Sequence, residues 1–169
     1  GGGSSADSVD FAVRAGLPLM LPGVLGPPRI FEPLVARYRQ GWADAGHDPA
    51  GCRVGTIAHT FAAATSQEAK RLMGARMATY MGWVRDLVAI STPRMLGMFP
   101  ASFDFEALIT RGPTVCGSPA EVVDKMARFQ SQLGLDVYLF MCDMGGMPPE
   151  ELHRALDLAG AEVLPHFAS

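Results

Sequence analysis

The sequence predicts an α/β protein built from parallel strands with helices packed outside them. Three observations lead to this prediction. Val137–Met141 is apolar at every position, as expected for a parallel strand that is covered on both faces. A helical pattern precedes this strand, and a second one follows it after the turn Gly145-Gly146. A strand, a glycine turn and a helix form the repeating unit of α/β proteins, whose functional groups lie at the carboxyl ends of the strands.

Both helices beside this strand have recognisable ends. Ser118 and Glu121 have the spacing of a capping box, and Gly134 is placed to end the first helix. Pro148 and Pro149 open the second helix, because proline is favoured in the first turn. The apolar residues recur at helical spacing, at Val122, Met126, Phe129 and Leu133 in the first helix and at Leu152, Ala155, Leu156, Ala159 and Val163 in the second.

Helices and strands also alternate in the preceding part of the chain. The pattern predicts a helix at about residues 6–15, a strand at 18–21, a helix at 30–45, a strand at 53–61 and a long helix from 65 to about 88. The long helix has a methionine-rich stripe, which we interpret as core rather than as a binding surface. Residues 89–114 are irregular, with a short helical turn expected near 103–110. A connection this long often covers a functional site, and a packed excursion without a gating role fits the pattern equally well.

Composition and charge exclude several classes of protein. The 169 residues are 49% hydrophobic and 18% charged, which indicates a globular chain with a core of its own. A net charge of −3 and the lack of a basic cluster argue against a nucleic-acid partner. Proline and glycine interrupt the apolar runs before they reach the roughly 18 residues that a membrane span needs. The scattered Cys52, Cys116 and Cys142 predict a reducing, cytoplasmic location.

The same segments resemble the bacterial luciferase-like monooxygenases. From Gly117 onward the chain has G-[ST]-P-x-E-x-x-x-K, then G-x-D before the apolar strand, then G-G-x-P-x-E and a helix that ends in E-V-x-P. The resemblance extends through FAVRAGLPLML at 11–21, AGHDP at 45–49 and RVGTIAHTFAAAT at 53–65. It depends on the order and spacing of these segments rather than on any one of them.

This resemblance implies a flavin- or deazaflavin-dependent (β/α)8 TIM barrel. A complete barrel takes roughly 250 residues, so we expect residues 1–169 to form a single partial TIM-barrel domain, the C-terminal portion, with parallel strands and outer helices. Residues 89–114 coincide with the mobile segment of the family and are predicted to be a lid-like insertion. A partial barrel has open strand edges and an uncovered inner face. We therefore expect the chain to form homo-oligomers, to aggregate or to pair with the missing half-barrel.

The opening loop is the candidate cofactor site. Backbone N–H groups at a glycine-rich helix N-terminus, with hydroxyls nearby, make an anion site. In the family this loop contacts the flavin phosphate, which makes Gly2, Gly3, Ser4, Ser5 and Ser8 the candidate cofactor-binding residues. A flexible cloning linker has the same composition, and the fit of the following residues to the family favours the native loop.

Two further side chains lie near predicted strand ends. His59 is interpreted as a general base, a flavin contact or a buried structural histidine, and Cys142 as a packing residue at the mouth of the cofactor pocket. Both are therefore candidates for the substrate pocket or for contact with the flavin ring. No pair of possible ligands has metal-binding spacing, so we predict no metal. In the family the groups that assist catalysis are largely on the first four strands, and no catalytic residue is assigned.

These observations predict part of an oxidoreductase that uses reduced FMN, or a deazaflavin coenzyme, and oxygen on a small organic substrate. The alternative is a non-catalytic truncated relative, or a subunit or fragment that needs a partner chain. A third hypothesis is an unrelated phosphate-binding barrel such as an aldolase. A lysine at a strand end would favour that class, but Lys70 and Lys125 are both predicted on outer helices.

Overall fold

The structure is a computed structural model, and it describes residues 3–98 and 104–168. Helices and strands alternate along the described chain. The helices are α1 (Ala6–Arg14), α2 (Glu32–Asp44), α3 (Ser66–Ser91), α4 (Phe105–Thr110), α5 (Pro119–Leu133) and α6 (Pro149–Glu162), and the strands are β1 (Leu19–Leu21), β2 (Val54–Ala62), β3 (Val115–Gly117) and β4 (Val137–Met141).

Strand β2 is the centre of a four-stranded sheet. It pairs in parallel with β1, from Leu19 opposite Val54, and with β4, up to His59 opposite Met141. Asp136 fixes the start of β4: its backbone N–H donates to the carbonyl of Val54 and its carboxylate accepts from the Val54 N–H, both at 2.8 Å. The predicted parallel pairing is therefore confirmed.

The two faces of this sheet are covered to different extents. On one face Leu19, Leu21, Val54 and Ala58 are fully buried. The opposite face carries Met20 and Ile57, which are half-buried, and Leu139, which is 44% exposed. The second face is therefore an apolar surface that the described chain covers only in part.

Contacts divide the chain into two compact units. The first comprises the described residues of Gly1–His59 together with Arg111–Val115 and Asp124–Met141, and the second comprises Thr60–Thr110, Cys116–Val123 and Cys142–Ser169, again in their described residues. Inside the first unit α1 packs on α2, where Gly41 lies against Val13 and Arg37 binds both carboxylate oxygens of Asp10 at 2.6 and 2.7 Å.

The core of the second unit is rich in sulfur. This core contains five buried sulfur-bearing side chains: Met73, Met77, Cys116, Met144 and Met147. They pack with Phe61, Ala63, Ala69 and Ala155. Methionine fills irregular spaces well because its side chain is unbranched and flexible. The interpretation of the methionine stripe on α3 as core is confirmed for Met73 and Met77.

The structure differs from the predicted elements in two places. It adds the short strand β3, whose Gly117 carbonyl accepts from the N–H of Ala63 at 3.2 Å. Within the predicted irregular segment, α3 continues to Ser91, a 3₁₀ turn spans Pro93–Met98, and α4 occupies the position of the expected helical turn. Residues 99–103 of the predicted lid lie outside the described residues. The single-domain organisation and the lid stay predictions.

Candidate functional site

The opening loop lies against the edge of β1. The backbone N–H of Gly3 donates to the carbonyl of Met20 at 2.8 Å. This hydrogen bond attaches the loop to strand β1. Gly3 is buried, and a Cβ at this position would lie 2.8 Å from Cδ1 of Leu19. Only glycine fits this close approach without a shift of Leu19. Gly2 lies outside the described residues.

Ser5 and Ser8 are brought together at the start of α1, in a reciprocal capping box. The Ser5 hydroxyl accepts from the Ser8 N–H at 3.3 Å, and the Ser8 hydroxyl accepts from the Ser5 N–H at 3.1 Å. The Ser8 hydroxyl also donates to the Ser5 carbonyl at 2.8 Å. Both hydroxyls therefore cap and stabilise the N-terminus of α1.

The backbone N–H groups in the first turn of a helix have no carbonyl partner inside the helix. The N–H groups of Ala6 and Asp7 are therefore further hydrogen-bond donors that an anion at this loop could use. Ser4, Ser5 and Ala6 are exposed. The exposed carboxylate of Asp7 stands in the same turn and disfavours an anion. An anion here would be held by backbone N–H groups and hydroxyls. These donors favour a phosphate, whereas the negative charge of Asp7 does not.

His59 lies near the carboxyl end of β2, opposite Met141 of β4, and is only 3% exposed. Burial lowers the pKa of His59 to about 4, because a low-dielectric environment disfavours the charged imidazolium. The side chain is therefore neutral at pH 7. It is four residues beyond Gly55, the partner of Met20, or about 13 Å along the strand. Gly3, which donates to Met20, and His59 therefore lie at different levels along the sheet.

Cys142 follows β4 directly and is half-buried. Burial raises the pKa of the Cys142 thiol, and the neighbouring charge of Asp143 raises it further. The thiol is therefore protonated at neutral pH and is a poor nucleophile. This environment agrees with a packing role and disagrees with a reactive one.

The other three histidines and Ser118 have no position that indicates a catalytic role. Nε2 of His47 is 2.7 Å from the carbonyl oxygen of Val13, while His153 and His166 are exposed. Ser118 caps α5 together with Glu121, whose carboxylate accepts from the Ser118 N–H at 2.7 Å and from its hydroxyl at 3.0 Å. The N–H bond lowers the pKa of Glu121. Ser118 is therefore a cap, as predicted.

The described residues contain neither a metal-ligand cluster nor a membrane-spanning helix. No group of three or more His, Cys, Asp or Glu side chains in residues 3–98 and 104–168 is placed to hold a metal ion. None of the helices in this part of the chain combines the length and the apolar character needed to cross a membrane.

Sequence reasoning missed two features. Lys125 lies on helix α5, as predicted, and the missed feature is its burial: it is 7% exposed, and its ammonium donates to the carbonyls of Gly112 and Thr114 at 3.0 and 2.8 Å. The second feature is a cavity in the second unit, beside the alanine run Ala62–Ala64. The small side chains of that run are the only signal in the sequence that indicated open space there.

Together, the strands and the loop define a parallel α/β protein with a glycine- and serine-rich turn at a helix N-terminus. The luciferase-like monooxygenase family model matches residues 1–136, and the chain belongs to this family. No curated protein sequence is significantly similar to the chain.

Several solved structures share the fold of the chain. Monooxygenase RslO1 from Streptomyces bottropensis is 23% identical, with a TM-score of 0.77 over 96% of this chain and 45% of its own. The oxygenating constituent of 3,6-diketocamphane monooxygenase from Pseudomonas putida, solved in complex with FMN, is 22% identical, with a TM-score of 0.69 over 94% of this chain and 45% of its own. The coenzyme F420-dependent tetrahydromethanopterin reductase of Methanopyrus kandleri is 17% identical, with a TM-score of 0.64 over 99% of this chain and 50% of its own.

The chain therefore spans about half the length of the solved structures that it matches. The predicted fold class, the C-terminal portion of a TIM barrel with parallel strands, is confirmed.

Proposed function

We propose that the chain is part of a flavin-dependent monooxygenase or oxidoreductase that uses reduced flavin and oxygen on a small organic substrate. Membership of the luciferase-like family supports the reaction class. FMN and coenzyme F420, named for two proteins of similar fold, support FMN or a deazaflavin as the cofactor. A cytoplasmic location, suggested by the scattered Cys52, Cys116 and Cys142 of the sequence, is part of the same proposal.

The observation that carries this proposal is the opening loop on the edge of β1. Gly3 holds the loop against Met20, and the Ser5–Ser8 capping box presents the first turn of α1 towards solvent. Gly2, Gly3, Ser4, Ser5 and Ser8 would hold the phosphate of the flavin through N–H groups and hydroxyls.

His59 and Cys142 are proposed to contact the substrate or the flavin ring without exchanging protons. With a pKa of about 4, His59 is a poor proton acceptor for a proton that must be removed at neutral pH. Its neutral ring can position a ligand by a hydrogen bond or by packing. Cys142, with a raised pKa, adds a neutral thiol. The bound flavin supplies the redox chemistry, and the protein binds it, orients it and excludes water.

A second candidate function follows from the length of the chain. Because the chain spans about half of the proteins of similar fold, it can be a subunit or fragment that acts only with a partner half-barrel. The half-covered apolar face with Met20, Ile57 and Leu139 supports this candidate. In that case flavin affinity appears only after the partner half is added.

The proposal is tested by flavin titration of the complete protein, with FMN and riboflavin compared because riboflavin lacks the phosphate. We expect Ser5→Ala with Ser8→Ala to weaken FMN binding by about tenfold, on the order of 1.4 kcal/mol, and to leave riboflavin affinity unchanged. Coenzyme F420 is titrated in parallel to distinguish the two cofactor classes.

The same substitutions also remove a helix cap, so a matched control is needed. Thr65→Ala removes the cap of α3, where the Thr65 hydroxyl accepts from the Glu68 N–H at 3.2 Å. Both changes are expected to lower stability by about 1 kcal/mol, and only the Ser5–Ser8 variant is expected to lower FMN affinity. Unchanged FMN affinity, or equal losses for FMN and riboflavin, would show that the anchor is assigned to the wrong residues.

A further inference from the structure

A cavity of about 460 Å³ lies within the second unit. The end of β2 with the residues after it, the first turns of α3, and one side of α6 form its walls. This volume lies in the range of cavities that bind small molecules. Sequence reasoning assigned no function to any of these walls.

The floor of the cavity is apolar. Ala62, Ala63 and Ala64 line one side, and Leu72 of α3 and Leu158 of α6 line the others. The alanines leave the space open because their side chains end at Cβ. An apolar ligand body of moderate size would therefore be favoured here by burial of its surface.

The rim carries more negative than positive charge. Glu68, Glu151 and Asp157 line the cavity together with a single cation, Arg154. Glu151 already has a cationic neighbour, since one of its carboxylate oxygens is 3.6 Å from Nη2 of Arg76. Two carboxylates and one guanidinium then remain to face a ligand, which gives an excess of one negative charge.

From this combination we propose that the cavity binds a small organic cation, an amine or guanidinium attached to an apolar body. The apolar body packs on the alanines and leucines, and the cationic group lies between Glu68 and Asp157. The negative charge of the rim disfavours the phosphate of a flavin, so the ligand proposed here differs from the cofactor and the inference goes beyond the proposed function.

The test uses three probes of similar shape and different charge: phenethylamine, 2-phenylethanol and 3-phenylpropionate. Each is titrated into the complete protein by calorimetry at low ionic strength, because salt screens exposed charges. We expect phenethylamine to bind about three- to tenfold more tightly than the alcohol and the carboxylate to bind most weakly. Equal affinities, or no binding of any probe, would overturn the proposal.

Two variants locate the binding. Ala161→Phe adds a ring at a lining position of α6 and is expected to abolish binding of phenethylamine, whereas His153→Phe adds the same ring at an exposed position that does not line the cavity and should leave it unchanged. The isosteric pair Glu68→Gln with Asp157→Asn should remove the preference for the amine over the alcohol. Retention of that preference in the pair, or of full affinity in a folded Ala161→Phe variant, would also contradict the proposal.

Discussion

At the scale of single residues, His59 gives the clearest dependence on pH. Its folded pKa of about 4 lies below the ordinary value of 6.5, so the unfolded chain takes up a proton first as the pH falls. The stability that neutral His59 contributes is complete above pH 6.5 and is lost progressively down to pH 4. The full difference corresponds to about 3 kcal/mol.

We therefore expect His59→Asn to have a flatter stability profile between pH 6.5 and 4 than the unmodified protein, as measured by urea unfolding at a series of pH values. Asp10 and Glu121 also have lowered pKa values and weaken the fold at lower pH in both proteins. Parallel profiles for the two proteins over this window would show that the pKa of His59 is the same in the folded and unfolded states, and so is not lowered by burial.

Lys125 supports a second prediction at this scale. Its buried ammonium holds the carbonyls of Gly112 and Thr114 and lies 5.6 Å from the centre of the Phe129 ring. Lys125→Met leaves both carbonyls without this donor, and we expect a loss of about 2–4 kcal/mol in the free energy of unfolding.

Lys70→Met is the matched control, because the partner of Lys70 is the exposed carboxylate of Glu106 at 2.9 Å. An exposed pair of this kind contributes about 1 kcal/mol or less. Urea unfolding measures both variants. Similar losses in the two would mean that Lys125 does not hold the chain around Thr114 in place.

At the scale of elements, the Gly145-Gly146 turn that precedes α6 packs closely on α3. Gly145 has φ +61°, and a Cβ there would overlap the carbonyl oxygen of Arg76 in α3. We expect Gly145→Ala to lower the free energy of unfolding by about 3 kcal/mol or more, because steric overlap adds to the left-handed strain.

Gly46→Ala separates the two causes. Gly46 has φ +68° and no atom within 4 Å of a Cβ, so it has the strain without the overlap. A loss of about 1–2 kcal/mol is expected there. If thermal unfolding gave equal losses in the free energy of unfolding for both variants, the turn would not pack closely on α3 as described.

Elements were predictable from sequence where local rules specify them. The cap at Ser118 and Glu121 and the strand β4 depend on neighbouring residues, and both elements appear in the structure. The predicted coverage of β4 on both faces was wrong, because none of its five residues is fully buried and Leu139 is 44% exposed. Strand β3 was missed because three residues contain too little pattern, and its pairing depends on a distant strand. Lys125 lies on a helix as predicted, but its burial was not predicted, because lysine is usually exposed and its partner carbonyls are 11 and 13 residues away.

The same distinction applies to the candidate site. Glycine and serine at a helix start identified the opening loop, since the rule that relates them is local. The reciprocal bonding of Ser5 and Ser8 was not predicted, because the third position after the cap more often has a glutamate or glutamine to close the box. The charged rim around the cavity joins residues far apart in sequence, so no local pattern indicates it.

At the scale of the whole molecule, the half-covered sheet face predicts association. Leu139 is 44% exposed on this face, and β4 presents its edge beside it. We expect the 169-residue chain to sediment as dimers or larger species, and Leu139→Lys to reduce their fraction. Leu164→Lys, at a position that is 51% exposed in the second unit, is the matched control. A single monomeric species of the unmodified chain would contradict this expectation.

The amide NMR spectrum of the complete protein during titration with FMN and with riboflavin tests the cofactor loop most directly. We predict that the backbone N–H signals of residues 3–8 shift on addition of FMN and shift far less on addition of riboflavin, because only FMN carries a phosphate. Bound FMN with unchanged signals from residues 3–8 would contradict the account.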